Sequence, residues 1–316
     1  MSIKKWFSEV RKDYFVLIGA TIVLLIVGAF QLPGFLTLKH QAALFRRNAI
    51  IGILALAQTM AILSGGIDLS VGANTTIVAV IGATFMGSWN SLLLPLLLVL
   101  VVGSLLGLIN GIGIGYIGLP PIVMTLGVMT AVSGAALLWT GGSATGQSSP
   151  ILRNFARGEI AGIPNLGLFW ALLTVIIWFI LNKTKFGREV RAFGSNPTSS
   201  FYSGLETQRI TVLVYVFVGF IAAIAGLANL GWINTPYLGL APAGIGMDLL
   251  LSSLAVVVIG GTTFRGGEGG VTGTFIATFL YGILRSLLTA MDLGSAGIRI
   301  VTGIIIVVVV IARKQI

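Results

Sequence analysis

Residues 14–32, YFVLIGATIVLLIVGAFQL, run for 19 positions without a charged side chain. About 20 apolar residues in a helix cross the hydrocarbon core of a bilayer, so this stretch is long enough to span a membrane. The basic residues before it, Lys4, Lys5, Arg11 and Lys12, give it the look of a signal peptide. Its apolar part is too long for one, however, and Gln31-Leu32-Pro33-Gly34-Phe35 offers no small-residue cleavage site. It reads as a retained span. Similar runs recur at roughly 48–64, 71–88, 92–114, 120–140, 164–182, 210–232, 248–264, 270–291 and 297–312, which makes about ten helices.

The whole chain agrees with that reading. Of 316 residues, 56% are hydrophobic and 9% are charged, whereas a soluble domain carries roughly 25% charged residues. Mean hydropathy is +1.03. A soluble enzyme, a disordered tail and a protein held by a single anchor are excluded. The expected fold is an all-α polytopic membrane protein, with residues 1–316 forming one transmembrane domain. The 43 glycines are about twice average usage, which suits closely packed membrane helices and broken segments lining a pathway.

The net charge of +10 points to cytoplasmic loops rather than to nucleic acid, because Lys and Arg concentrate on the cytoplasmic side of membrane proteins. With the N-terminus inside, ten spans place residues 1–13, 183–209, 265–269 and 313–316 in the cytoplasm. Those segments hold twelve basic residues, against five on the other side: Lys39, Arg46, Arg47, Arg153 and Arg157. Arg285 and Arg299 lie within spans. The balance predicts both termini in the cytoplasm and an even number of spans. There is no cysteine and one histidine, His40, so thiolate sites, disulfides and sites that need two imidazoles are ruled out, and no metal site is expected.

Two nucleotide-like patterns fail on context. Gly113-Ile-Gly115-Tyr-Ile-Gly118 spells G-x-G-x-x-G, but it closes an apolar span and its nearest downstream acid is Glu159. The glycine-rich loop from Gly260 to Gly270 has no Gly-Lys-Ser/Thr ending. Any coupling to ATP must therefore come from another subunit, and this chain carries no cofactor of its own.

Three stretches carry information. Gly65-Gly66-Ile67-Asp68-Leu69-Ser70-Val71-Gly72 sets a carboxylate between two apolar spans. A charge at a helix centre within the membrane costs about 2.5–3.5 kcal/mol on insertion scales, so Asp68 has two readings: it caps the helix beginning near Leu69, or it serves a gate or pathway together with Ser70. Gly118-Leu119-Pro120-Pro121 opens a helix restart after a short break, since proline in the first turn costs no hydrogen bond. The loop 183–209 contains Arg188 and then Asn196, Pro197, Phe201, Tyr202 and Gly204. Asn196 suits an N-cap, Pro197 the first helical position and Gly204 the stop. A helix of about two turns results, held outside the membrane, and its two aromatic rings are more than solvation requires. Docking of a partner is expected there.

In this order the stretches resemble the inner-membrane permeases of ribose-, xylose- and arabinose-type ABC importers. The family's Gly-Gly-Ile-Asp-Leu-Ser-Val-Gly segment is matched without change at 65–72, and its Pro-Pro-x-x-Val-Thr-Leu-Gly-like segment is similar to 120–127. Its Thr-x-Phe-Gly-Arg … Gly-x-Asn-Pro loop is matched from Thr184 to Pro197, and its Val-Val-Ile-Gly-Gly-Thr … Gly-Gly-x-Gly stretch from Val257 to Gly269. The chain departs from the family at two places. Leu250, Leu251 and Ser252 stand where Glu-Leu-Asp is often found, and Thr198, Ser199 and Ser200 where Glu-Ala-Ala usually follows the proline.

The resemblance implies a type II importer-like permease in a bacterial cytoplasmic (inner) membrane, with 183–209 as the coupling segment. It also implies four kinds of surroundings: a second permease chain, identical or closely related; two cytoplasmic ATPase subunits that hold ATP and Mg; an extracytoplasmic sugar-binding protein; and the lipid bilayer. The cargo it implies is a ribose-type pentose or related monosaccharide, with a nucleoside or sugar-derived signal as the alternative. From the residues alone, Asn74, Thr125, Asn229 and Asn234 are pathway candidates, being polar in otherwise apolar spans. They have an equal claim as hydrogen-bonding links between helices. An ion-coupled transporter using Asp68 with Arg285 as a relay is the rival from another class.

Overall fold

A computed structural model describes residues 3–88, 92–236 and 244–314. Each of the ten apolar runs falls on a helix: α1 (Ile3–Gln31), α2 (Leu38–Leu63), α3 (Val71–Ser88), α4 (Leu93–Gly115), α5 (Pro121–Thr140), α7 (Asn165–Lys183), α10 (Thr207–Ile233), α11 (Gly244–Ile259), α12 (Val271–Ala290) and α13 (Ser295–Lys314). Short helices α6 (Pro150–Arg157), α8 (Lys185–Ser195) and α9 (Pro197–Tyr202) lie in the connections. A backbone in lipid has no water to bond, so an apolar run this long satisfies its N–H and C=O groups within one helix.

Six of these helices are long and apolar enough to cross a membrane: α1 from Tyr14, α4, α5, α7, α10 and α12. Val71–Met86, Gly246–Ile259 and Ala296–Ile311 are shorter apolar helices. The chain is therefore a multi-pass helical protein. α2 differs in kind, because it is buried without interruption from Asn48 to Leu63. It forms the axis against which α7, α10, α11 and α12 pack.

The closest pairing is between α4 and α10. Gly103, Gly107, Gly111 and Gly115 recur every four residues and so line one face of α4. A Cβ at Gly103 would lie 2.8 Å from the Gly219 carbonyl, and one at Gly111 2.7 Å from Val212 Cα. At Gly107 it would collide with the Tyr215 carbonyl. Small residues here let the two backbones touch, as in other membrane helix pairs.

Two boundaries differ from expectation. α1 begins at Ile3, so the helix extends beyond its apolar part. α11 ends at Ile259 rather than near 264, because Gly260 and Gly261 leave the helix, the latter at φ +96. Between α6 and α7, Glu159–Ile160 (β1) and Ile163–Pro164 (β2) form a small antiparallel hairpin. Its turn residues Ala161 and Gly162 both have positive φ, 51° and 80°, the backbone sign a two-residue hairpin needs at both centres.

Candidate functional site

Residues 64–70, the end of α4 with the start of α5, residues 184–206 and residues 260–270 all come to one end of the bundle. The meeting begins at the close of α2. Gly65, at φ +84, follows the C-cap Ser64. Gly65 N–H bonds the Ile62 carbonyl at 2.9 Å, and Gly66 N–H bonds that of Ala61 at 3.0 Å. This is the double C-cap that a left-handed glycine permits. It leaves the Leu63 carbonyl free to accept from Gly267 N–H at 2.9 Å. Gly194 of α8 presses on the same carbonyl so closely that a Cβ would overlap it, and a Cβ at Gly266 would be 2.6 Å from the Gly194 carbonyl. Three distant glycine motifs thus meet backbone to backbone.

Asp68 lies just beyond this junction, with 1% of its surface exposed. Its Oδ1 accepts from Ser70 N–H at 2.7 Å and from Ser70 Oγ at 2.6 Å. Asn110 Nδ2, on α4, donates to Asp68 Oδ2 at 3.4 Å and to Ser70 Oγ at 2.8 Å. Gln58 of α2 donates to the Asp68 carbonyl at 2.5 Å. Thr125 of α5 accepts from Leu69 N–H at 3.1 Å and donates to the Pro121 carbonyl at 2.8 Å. Asp68 therefore ties the loop 64–70 to α4, and Thr125 ties it to α5. The cap of α3 is displaced from the expected position: the Ser70 carbonyl accepts the first helical bond, from Asn74 N–H at 2.8 Å, and Asp68 satisfies the N–H of Ser70 itself.

The connection 184–206 is built on that floor. Thr184 caps α8 by accepting from Gly187 N–H at 3.3 Å. Gly187, Val190 and Gly194 are buried, three or four residues apart, so one face of α8 lies on the bundle. Arg191 donates to the Gly269 carbonyl at 2.9 Å and to Asn182 Oδ1 at 3.3 Å. Its partial burial pushes the guanidinium below its ordinary pKa. Asn196 caps α9 by accepting from Ser199 N–H at 2.9 Å, Pro197 takes the first turn, and Gly204 exits at φ +81. Ser200 faces inward, whereas Phe201 and Tyr202 are 65% and 83% exposed, with ring centroids 5.8 Å apart. Arg188, Asn196 and Pro197 are also exposed.

Of the other expected residues, Asp68, Ser70 and Thr125 share the network just described. Asn74 is buried nearby and donates to the Gly103 and Gly219 carbonyls at 3.2 and 3.3 Å, which links α3, α4 and α10. Asn229 is half-buried about 15 Å further along α10 from Gly219, at 1.5 Å per residue. Asn234 lies at the opposite end of the bundle, where it ends α10 at φ +79 and its carbonyl accepts from Ser148 N–H at 2.9 Å. Arg285 is likewise remote: it is fourteen residues into α12, about 21 Å from the helix start beside the 260–270 loop. A direct Asp68–Arg285 relay has no geometric basis. Among the described residues, no three His, Cys, Asp or Glu side chains gather as a metal site.

Sequence reasoning missed Asn110, Gln58, Gly194 and Arg191. Asn110 and Gln58 had a signal, since each is an amide set well inside an apolar run. Gly194 reaches Leu63 and Gly267, and Arg191 reaches Gly269, all more than 70 residues away, and nothing local announces those contacts.

Residues 42–310 match the protein family described as branched-chain amino acid transport system / permease component. The chain is 31% identical to the ribose import permease protein of Haemophilus influenzae over 93% of its own length and 90% of the relative's. It is 34% identical to the ribose import permease protein of Bacillus subtilis, over 94% and 91%. It is also 34% identical to the autoinducer 2 import system permease protein of Klebsiella pneumoniae, over 84% and 80%. No solved structure matches the chain.

Proposed function

This chain belongs to the family of transport-system permease components, and on that premise we propose that it is the membrane permease subunit of an ATP-binding-cassette importer for a small sugar. The ribose import permeases it resembles cover nearly its whole length, which supports a ribose-type pentose or related monosaccharide as cargo. In this reading ten helices cross a bacterial cytoplasmic membrane with both termini inside. Two permease chains enclose the path, an extracytoplasmic binding protein delivers the sugar, and two ATPase subunits bind ATP and Mg. The chain itself performs no chemistry.

One observation carries the reading. α9 offers two solvent-facing aromatic rings on a capped, anchored helix, and that helix rests through α8 on the junction at Leu63, Gly65 and Gly267. An ATPase that pulls on Phe201 and Tyr202 has a rigid lever into the loop that holds Asp68. This makes Asp68 and Ser70 a gate element worked from below, rather than a binding site for cargo.

A second cargo, a nucleoside or a sugar-derived signal, is favoured by the relative named for autoinducer 2 import, which matches as well as one named for ribose import. Reconstitution tests both readings. The permease with its ATPase and binding protein should hydrolyse ATP faster when the binding protein is loaded, and the solute that stimulates turnover most identifies the cargo. ATP turnover by the pure permease chain overturns the subunit assignment.

A further inference from the structure

At the end of the bundle opposite Asp68, the start of α2, the start of α11, the end of α12 and the first turns of α13 line an open cavity of about 270 Å³. Its lining carries three guanidinium groups, Arg47, Arg285 and Arg299, but only one carboxylate, Asp248. That carboxylate is already engaged. Arg299 Nε reaches Asp248 Oδ1 at 2.5 Å, and Arg299 Nη2 reaches Oδ2 at 2.9 Å, a two-pronged pairing. Among the described residues neither Arg47 nor Arg285 makes an ion pair. Asp292, in the turn after α12, is not part of the lining. The cavity therefore holds an excess of two positive charges.

Its floor is polar as well. Ser252 Oγ and Tyr281 OH are 2.8 Å apart, and Tyr281 OH and Thr302 Oγ1 3.3 Å apart, all three residues being buried. Two like charges sharing a partly enclosed space repel each other, and a bound anion removes that cost while using the forks of donors. The donors come from different helices and so approach from several sides. A tetrahedral phosphate, with oxygens pointing in several directions, can use them together, whereas a planar carboxylate serves chiefly one guanidinium fork.

We propose that this cavity is a binding site for a phosphate group, held by Arg47 and Arg285 with the Ser252–Tyr281–Thr302 hydroxyls beneath. The inference is independent of which solute the permease carries. The phosphate has two possible sources, a free phosphate-bearing solute or the headgroup of an anionic phospholipid, whose chemistry at the site is the same.

The test uses the full chain in lipid nanodiscs and radiolabelled inorganic phosphate. In phosphatidylcholine discs the wild type should bind phosphate saturably, and Arg285→Gln or Arg47→Gln should weaken binding at least tenfold. If phosphatidylglycerol in the disc displaces the phosphate, or native mass spectrometry finds this lipid retained by the wild type and lost from Arg285→Gln, the occupant is a headgroup. If phosphate binds equally in both discs, the occupant is a free anion. Phenylglyoxal footprinting of the wild type avoids any effect of mutation on folding: phosphate should slow modification of Arg47 and Arg285 at least fivefold and leave Arg188 and Arg265 unaffected. The proposal is overturned if wild type shows neither phosphate binding nor retained phosphatidylglycerol, if both variants behave as wild type, or if footprinting shows no selective protection.

Discussion

Gly194 rests directly on the carbonyl oxygen of Leu63, across a sequence gap of 131 residues, and the same oxygen accepts a hydrogen bond from Gly267 N–H at 2.9 Å. No side chain fits between them. Because the obstructing atom is backbone, it cannot swing aside as a rotamer would. Gly194→Ala should push α8 off the bundle at a cost of about 1–3 kcal/mol, the usual range for overpacking. Protease cleavage within 184–206 should speed up at least fivefold in inside-out vesicles, with membrane insertion unchanged. Cleavage at the wild-type rate would mean the junction is looser than its geometry.

Below that junction, truncating the aromatic pair tests the proposed docking surface. Interface anchors of this kind typically cost 2 kcal/mol or more when removed. Phe201→Ala combined with Tyr202→Ala should weaken ATPase binding at least tenfold, equivalent to about 1.4 kcal/mol. Both rings are mostly exposed, so the permease should accumulate normally. Pull-down of the ATPase at matched permease levels gives the answer, and undiminished recovery moves the coupling site to 263–269.

These two predictions differ in how readable they were. Asn196, Pro197 and Gly204 announce α9 by local backbone chemistry alone, and the ten apolar runs announce helices because lipid leaves the backbone no other partner. The Gly194–Leu63 contact and the bond from Asn110 to Asp68, 42 residues apart, are products of tertiary packing. A glycine chosen for close approach looks in sequence like one chosen for a turn. The hairpin at 159–164 was hidden for a related reason: Ala161 takes a positive φ of 51° that alanine does not advertise. The arginine-lined cavity draws on four helices, and the sequence gives no sign that Arg47, Arg285 and Asp248 share a space.

Packing of α4 on α10 offers a test of the membrane fold apart from coupling. A leucine at Gly107 would meet the Tyr215 carbonyl and separate the two helices, breaking the bonds from Asn74 to Gly103 and Gly219 as well. Gly107→Leu should lower the yield of monodisperse permease severalfold in size-exclusion chromatography. Gly127→Leu, on α5 where a Cβ meets nothing within 4 Å, should behave as wild type. Equal yields for the two variants would refute the glycine face.

Asp68 separates fold from transport. Its carboxylate accepts from Ser70 N–H, Ser70 Oγ and Asn110 Nδ2. Asp68→Ala strands these buried donors, and hydrogen bonds to a charged group are each worth about 1.5–3 kcal/mol, so thermal stability in detergent should fall clearly. Asp68→Asn keeps an oxygen for the Ser70 N–H and hydroxyl, and an amide flip at Asn110 can meet the new NH2 group at the loss of the bond from Asn110 Nδ2 to Ser70 Oγ. Its stability should therefore fall less than that of Asp68→Ala. Transport divides the two roles: a gate that depends on the charge predicts at least tenfold slower uptake by Asp68→Asn in vesicles with ATPase docking intact. Uptake at the wild-type rate would leave Asp68 a structural tie between the loop 64–70 and α4, because the amide keeps the Ser70 bonds and a contact with Asn110 without the charge.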